Sequence, residues 1–177
     1  MALVGGMGIL SGALCAAAEV SAQGAVEVKL VDHPGLLAEV ARQRGKVVVL
    51  DCWSTSCPPC VREFPRLVDL QNLHGDQIAC LSLSLDYEGI DRPEDLMPPV
   101  RTFLEKVRAG GLVNLLASEE ADSFYPKLGI DSVPAVFVYG RDGTLLQRFD
   151  EDDSAKRLGR PFTYDDVEMV VKQAIAP

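Results

Sequence analysis

The chain has 177 residues, of which 47% are hydrophobic and 24% charged, with a formal net charge of −9. That composition suits one globular domain with a sizeable core. The pI near 4.7 sets aside a phosphate-backbone-binding surface, which needs clustered Lys and Arg. An aromatic content of 6% sets aside a stacking platform for single strands, so no nucleic-acid partner is expected.

From Met1 to Ala18 no side chain is charged, and Val20-Ser21-Ala22 offers a small-residue cleavage site. Residues 1–22 therefore read as an export signal, with a retained membrane anchor as the alternative, and residues 23–177 as the folded domain. Val26–Val31 alternates like a short strand. A helix is expected over Pro34–Arg44, with Asp32 as its N-cap and Gly45 ending it. Lys46–Trp53 holds the run Val47-Val48-Val49-Leu50, the mark of a parallel strand buried on both faces. A helix kinked at Pro65 follows, from the cysteines at 57 and 60 to about His74. Ile78–Leu85 is the next strand, and the Pro- and acid-rich stretch Tyr87–Pro99 a loop. The pattern then gives a helix over Val100–Ala109, a strand over Leu112–Ala117 and a helix over Glu119–Leu128 closed by Gly129. Strands Ala135–Tyr139 and Thr144–Phe149 flank the turn Arg141-Asp142-Gly143. The acidic run Asp150–Asp153 reads as a solvated loop, and Tyr164–Ala174 as the final helix. Alternating units predict an α/β fold, with a central parallel sheet flanked by helices and an antiparallel hairpin at one edge.

Five cysteines are present: Cys15, Cys52, Cys57, Cys60 and Cys80. His33 and His74 lie far from Cys57 and Cys60 in sequence, so a metal site is not expected, and nothing calls for a cofactor. Cys52 and Cys80 stand near opposite ends of successive strands, about 10 Å apart in parallel pairing at roughly 3.3 Å per residue. That is too far for a disulfide and leaves two core thiols. In Cys57-Pro58-Pro59-Cys60, by contrast, a strand runs into C-x-x-C where a helix begins. Unpaired N–H groups and the positive dipole end favour a thiolate at Cys57, while Cys60 lies one turn further in. Pro58 and Pro59 stiffen the turn and suit the first helical positions. Cys57 then attacks a disulfide and Cys60 resolves the mixed disulfide.

The stretch VVVLDCWSTSCPPCVREFPRL resembles the active-site region of thioredoxin-like proteins, and most of all the exported TlpA/ResA type with its pattern W-x-x-x-C-x-P-C-x-x-E-x-P. Trp53, Cys57, Pro59, Cys60, Glu63 and Pro65 occupy those positions. Gly129-Ile130-Asp131-Ser132-Val133-Pro134-Ala135-Val136-Phe137, followed by Asp142-Gly143, is similar to the same family's second motif and hairpin. The resemblance implies a thioredoxin-like mixed sheet with an N-terminal strand–helix extension and an inserted βα element. It implies a cis-proline at Pro134, a backbone at Val133 that pairs with substrate, and a substrate-contacting surface from Trp53, Pro58, Pro59, Val133 and Pro134. Asp51 matches the family's buried acid, able to exchange a proton with Cys60; the alternative is a satisfied core carboxylate. Glu63, one turn beyond Cys60, matches an acid that tunes the cysteines, against a plain surface glutamate. Two departures stand out: Ser56 replaces the large residue usual before the first cysteine, and Cys52 replaces an aromatic.

The resemblance further implies an exported, monomeric thiol–disulfide oxidoreductase that reduces protein disulfides and draws on an upstream thiol electron donor, often membrane-bound. The apparatus that attaches haem to cytochrome c is a known client class of such proteins. Two other readings stay open. Ser54, three residues before Cys57, is compatible with a thiol peroxidase, and the two thiols with a non-catalytic binding or copper-delivery module.

Overall fold

In a computed structural model of the chain, the described residues are 25–90 and 92–176. The expected export signal falls on residues 1–22 and lies outside them. β-Branched and leucine runs build the centre of one six-stranded sheet. Its strands are β1 (Val28–Val31), β2 (Val47–Trp53), β3 (Ile78–Ser84), β4 (Val113–Ala117), β5 (Ala135–Tyr139) and β6 (Leu145–Phe149). Their spatial order is β1-β4-β3-β2-β5-β6. The first four run parallel, while β5 is antiparallel to β2 and β6 to β5, so the sheet is mixed, as the sequence predicts. Every residue of β2 and β3 is buried, which explains why β2 reads as a continuous apolar run rather than an alternating one.

Among the described residues, seven α-helices cover the sheet: α1 (His33–Arg42), α2 (Pro58–Glu63), α3 (Pro65–His74), α4 (Met97–Lys106), α5 (Ala121–Leu128), α6 (Glu151–Leu158) and α7 (Tyr164–Ile175). The pleat of β2 divides the core. Val47, Val49 and Trp53 join Leu67, Leu104 and Val167 from α3, α4 and α7 in one layer. Val48, Leu50 and Cys52 face Leu36 and Phe124 from α1 and α5 in the other. Cys80 pairs in register with Val49, three residues from Cys52, and packs in the opposite layer. The two cysteines are free and buried, and burial pushes both thiols well up from their ordinary range.

Asp32 caps α1 by accepting from the Gly35 N–H at 2.8 Å. Pro65 opens α3 directly after Phe64, so the kinked helix is two segments. Three expectations are corrected. The stretch Tyr87–Pro99 is not all loop: a 3-10 turn spans Pro93–Leu96 and α4 starts at Met97. Pro98 and Pro99 sit in its first turn, where a missing N–H breaks no helical bond. At its other end α4 stops at Lys106 rather than Ala109, because Arg108 turns left-handed at φ 59°. Nor is the acidic run 150–153 a solvated loop. Asp150 is the N-cap of α6, accepting from the Asp153 N–H at 2.7 Å, and Glu151, Asp152 and Asp153 form the first turn. Acids there complement the helix dipole, and Asp153 pairs with Arg157 one turn on at 3.0 Å. Among the described residues, no helix is long and apolar enough to cross a membrane.

Candidate active site

Strand β2 ends at Trp53, and the backbone turns through Ser54–Ser56 before α2 begins. Asp86, just past β3, holds that turn. Its Oδ1 accepts from Ser54 Oγ and the Thr55 N–H, each at 2.8 Å, and from Thr55 Oγ1 at 2.5 Å; its Oδ2 accepts from Ser84 Oγ at 2.5 Å. Ser56, which precedes the first cysteine, lies with its Oγ 2.8 Å from Ser54 Oγ in the same network.

Cys57 is therefore delivered as the N-cap of α2, with Pro58 and Pro59 at the helix start and Cys60 in its first turn. The two form a disulfide, with Sγ atoms 2.05 Å apart. Cys57 is half-buried and Cys60 buried, so the first cysteine is reachable from solvent and the second is enclosed. The Cys60 N–H points at Cys57 Sγ, 3.3 Å away. Across from it, the Val133 carbonyl oxygen stands 3.8 Å from the same sulfur. The Val133–Pro134 bond is cis. The segment leading to it is fixed from behind. Gly129, at φ 70°, caps α5, and Arg148 of β6 donates to its carbonyl at 2.7 Å while pairing with Asp150 at 2.6 Å.

A cleft of about 790 Å³ opens beside the disulfide and gathers Asp51, Pro59, Cys60, Glu63, Val133 and Pro134 along one side. Its far wall is α6 and the segment from Gly159 to Tyr164. Glu63 is half-exposed and paired with Arg62 at 3.2 Å. Asp51 is 4% exposed. Burial raises its pKa to about 7, against the opposing effect of a hydrogen bond from the Tyr164 hydroxyl to Oδ2 at 2.7 Å. Oδ1 has no hydrogen-bond partner among the described residues.

Two residues expected at the substrate surface stand apart from the cleft. Trp53 is fully buried, packed at 4.8 Å from both Phe64 and Phe103, so it supports the turn from below and offers no surface to a partner. Pro58 is exposed outside the cleft. Three residues went unread in the sequence: Asp86, Tyr164 and Arg160. Arg160 lines the far wall and makes two 2.8 Å bonds to Asp166, holding that carboxyl well below its usual range. Among the described residues no three of His, Cys, Asp and Glu gather as a metal-binding group.

Disulfide exchange is the chemistry open to a half-exposed sulfur at a helix N-terminus with its partner buried behind it. On this sheet it defines a thioredoxin-like thiol–disulfide oxidoreductase. The profile of the Redoxin family matches residues 21–166, and the chain belongs to that family. Within it, the chain is similar to proteins of the TlpA/ResA type. The thiol–disulfide oxidoreductases ResA of Bacillus thuringiensis and Bacillus anthracis are each 22% identical over 130 residues, 73% of this chain and 69% of theirs. A thiol:disulfide interchange protein of Chlorobium tepidum shares the fold, with a TM-score of 0.56 at 19% identity over 77% of this chain and 84% of that one. So does a secreted disulfide oxidoreductase of Mycobacterium tuberculosis, with a TM-score of 0.54 at 19% identity over 75% and 85%. The thioredoxin-like expectation thus holds: β1 and α1 form the N-terminal extension, and β4 with α5 the inserted element.

Proposed function

We propose that the protein is an exported, monomeric oxidoreductase that reduces disulfides in protein substrates. The observation that carries this reading is the half-exposed Cys57 sulfur, set 3.8 Å from the Val133 carbonyl oxygen beside an open cleft. A substrate strand lies against the backbone at Val133 and Pro134 and over Pro58 and Pro59, and its disulfide meets the Cys57 thiolate. The mixed disulfide forms as the first substrate sulfur leaves. Asp51, ionised, takes the proton of the Cys60 thiol. Cys60 attacks Cys57 Sγ, and the second substrate sulfur departs and is protonated. Glu63 lines the cleft one turn beyond Cys60 and acts on the choice of partner. An upstream thiol donor, membrane-bound or not, returns two electrons to the pair.

The reducing direction is the one that the TlpA/ResA resemblance implies, and it needs the upstream donor to keep the pair as a dithiol. Export rests on the uncharged leader over 1–18 and agrees with a relative described as secreted.

The test is the reduction potential of the pair in thiol buffers, read by Trp53 fluorescence. A value near or below about −270 mV is expected; one near −120 mV overturns the direction, and the lack of a reversible disulfide overturns the redox function. N-terminal sequencing of protein from the extracytoplasmic fraction tests export. A start near residue 23 supports it, and recovery in the cytoplasm alone refutes it.

A further inference from the structure

Asp51 and Tyr164 meet across 113 residues of chain, where the first residue of α7 reaches the middle of β2. Tyr164 is 5% exposed and Asp51 4%, so neither is screened by bulk water. The hydroxyl donates to Oδ2 at 2.7 Å and leaves Oδ1 as a buried oxygen with no partner, on a residue that lines the same cleft as Cys60. A carboxyl with two free oxygens rotates. One anchored through Oδ2 keeps Oδ1 aimed in one direction. The same bond favours the ionised form, because a phenol donates better to a carboxylate than to a neutral acid.

We infer that Tyr164 is a positioning residue for disulfide exchange: it fixes the Asp51 carboxyl through Oδ2, so that Oδ1 is the atom that takes the Cys60 proton. This rests on the proton exchange between Asp51 and Cys60 proposed above. In that step the S–H bond of Cys60 breaks and an O–H bond forms at Oδ1. The proton leaves again to the departing substrate thiolate, so Asp51 returns to its ionised form and the interior carries the same charge after the step as before it.

Few other titratable groups share these surroundings. Cys52 follows Asp51 on β2, and Cys80 lies on β3, where Ser82 is the residue in register with Asp51. Asp51 faces Val136 on β5, so that strand brings no charge opposite it. Arg62 and Glu63 of α2 pair with each other, as do Arg160 and Asp166 across the far wall, where Glu151 of α6 also stands. On the outer side of Tyr164 lie Arg66 and Asp69 of α3 and Glu168 of α7. None of these hydrogen-bonds to Asp51, so Tyr164 is its one directional contact among the described residues.

The test is Tyr164→Phe in the full chain, which keeps the ring and removes the hydroxyl. The Asp51 Cγ resonance is titrated in the oxidised protein, and the pH dependence of substrate-disulfide reduction is measured alongside, with Asp51→Asn as the reference. The expected result is a rise of about one to two pH units in the Asp51 midpoint, some 10- to 100-fold in proton affinity. The acid limb of the rate profile should rise by the same amount, and that limb should be missing in Asp51→Asn. An unmoved midpoint overturns the inference. So does a moved midpoint with an unmoved limb; if Asp51→Asn also keeps the limb, the proton exchange itself fails, and otherwise only the role of Tyr164 does. A measurement on the unaltered protein does not depend on any variant folding. The Tyr164 Cζ resonance should titrate with the same midpoint as Asp51, and a flat trace between pH 5 and 9 refutes the contact.

Discussion

Replacing Asp51 by Asn should make the oxidised protein more stable, and increasingly so as the pH rises. The amide keeps the size of the side chain and an oxygen for the Tyr164 hydroxyl, but it cannot ionise. The native Asp51 titrates at about 7 against 3.8 for an unburied aspartate. The sign follows directly. The native state binds this proton more tightly than the unfolded chain, so wild-type stability is fullest below about pH 4. It falls as the pH rises from there and levels off above about pH 7. The full difference is roughly 4 kcal/mol at 1.36 kcal/mol per unit, nearly all of it reached by pH 8, with roughly 2 kcal/mol already lost at pH 5. The gap between variant and wild type should therefore widen by about 2.5 kcal/mol from pH 5 to pH 8. Cys52, Cys80 and Tyr164, which the Asp51 charge also pushes up, stay protonated between pH 5 and pH 8, so the change in the gap isolates Asp51. Urea unfolding of both oxidised proteins at the two pH values measures it. A gap that stays constant would mean that the carboxyl is solvated in the native state, and the buried-acid account would fall with it.

Three further outcomes follow from the geometry. Cys60→Ser should accumulate a mixed disulfide with substrate through Cys57, visible on a non-reducing gel, whereas Cys57→Ser should form none; equal trapping by both would invert the assigned roles. Phe64 is fully buried, 4.8 Å from Trp53 and 5.3 Å from Phe103. Phe64→Ala should cost about 3–5 kcal/mol in guanidinium unfolding and shift Trp53 emission to the red; an unshifted spectrum would contradict the packing. Arg160→Ala should destabilise only modestly at pH 7, because half of the arginine side chain is exposed and its pairing is screened by solvent. Asp166 titrates lower in the native state than in the unfolded chain, so this contribution is present above about pH 4 and is lost as the pH falls below that. The difference in urea midpoints should shrink between pH 7 and pH 2.5.

What could be read from the sequence is what local chemistry dictates. The run Val47–Leu50 cannot face water on either side, and so reports a central parallel strand before any partner strand is known. Cys57-Pro58-Pro59-Cys60 carries its meaning in four consecutive residues, because the spacing of the thiols and the placing of the prolines are both properties of one helix turn. Misreadings arose where one composition fits two local structures. Asp150–Asp153 is as suitable for the start of a helix as for a solvated loop, and Lys156 and Arg157 in the last turn are what tip it toward α6. Pro98 and Pro99 look like breakers, yet Met97 begins a helix with them in its first turn, since prolines disrupt a helix only beyond that point.

The half of the site that was not legible is the half made by long-range contacts. Asp51 is visible as an acid at the end of an apolar strand, but the rise that burial imposes on its pKa is opposed by a hydrogen bond from Tyr164, and nothing near position 164 announces a partner on β2. Asp86 gives no local signal either, although four hydrogen bonds to it shape the turn that presents Cys57. Position 53 shows the converse error. The family resemblance implies a substrate surface there, and burial against Phe64 and Phe103 instead makes Trp53 the floor on which the turn rests. The short motif therefore specifies which atoms react. On the inference above, the proton step is tuned from elsewhere in the chain, by a phenol at the head of α7. A relative that shares Cys57 and Cys60 but lacks the hydroxyl at 164 should share the reaction and differ in its pH dependence.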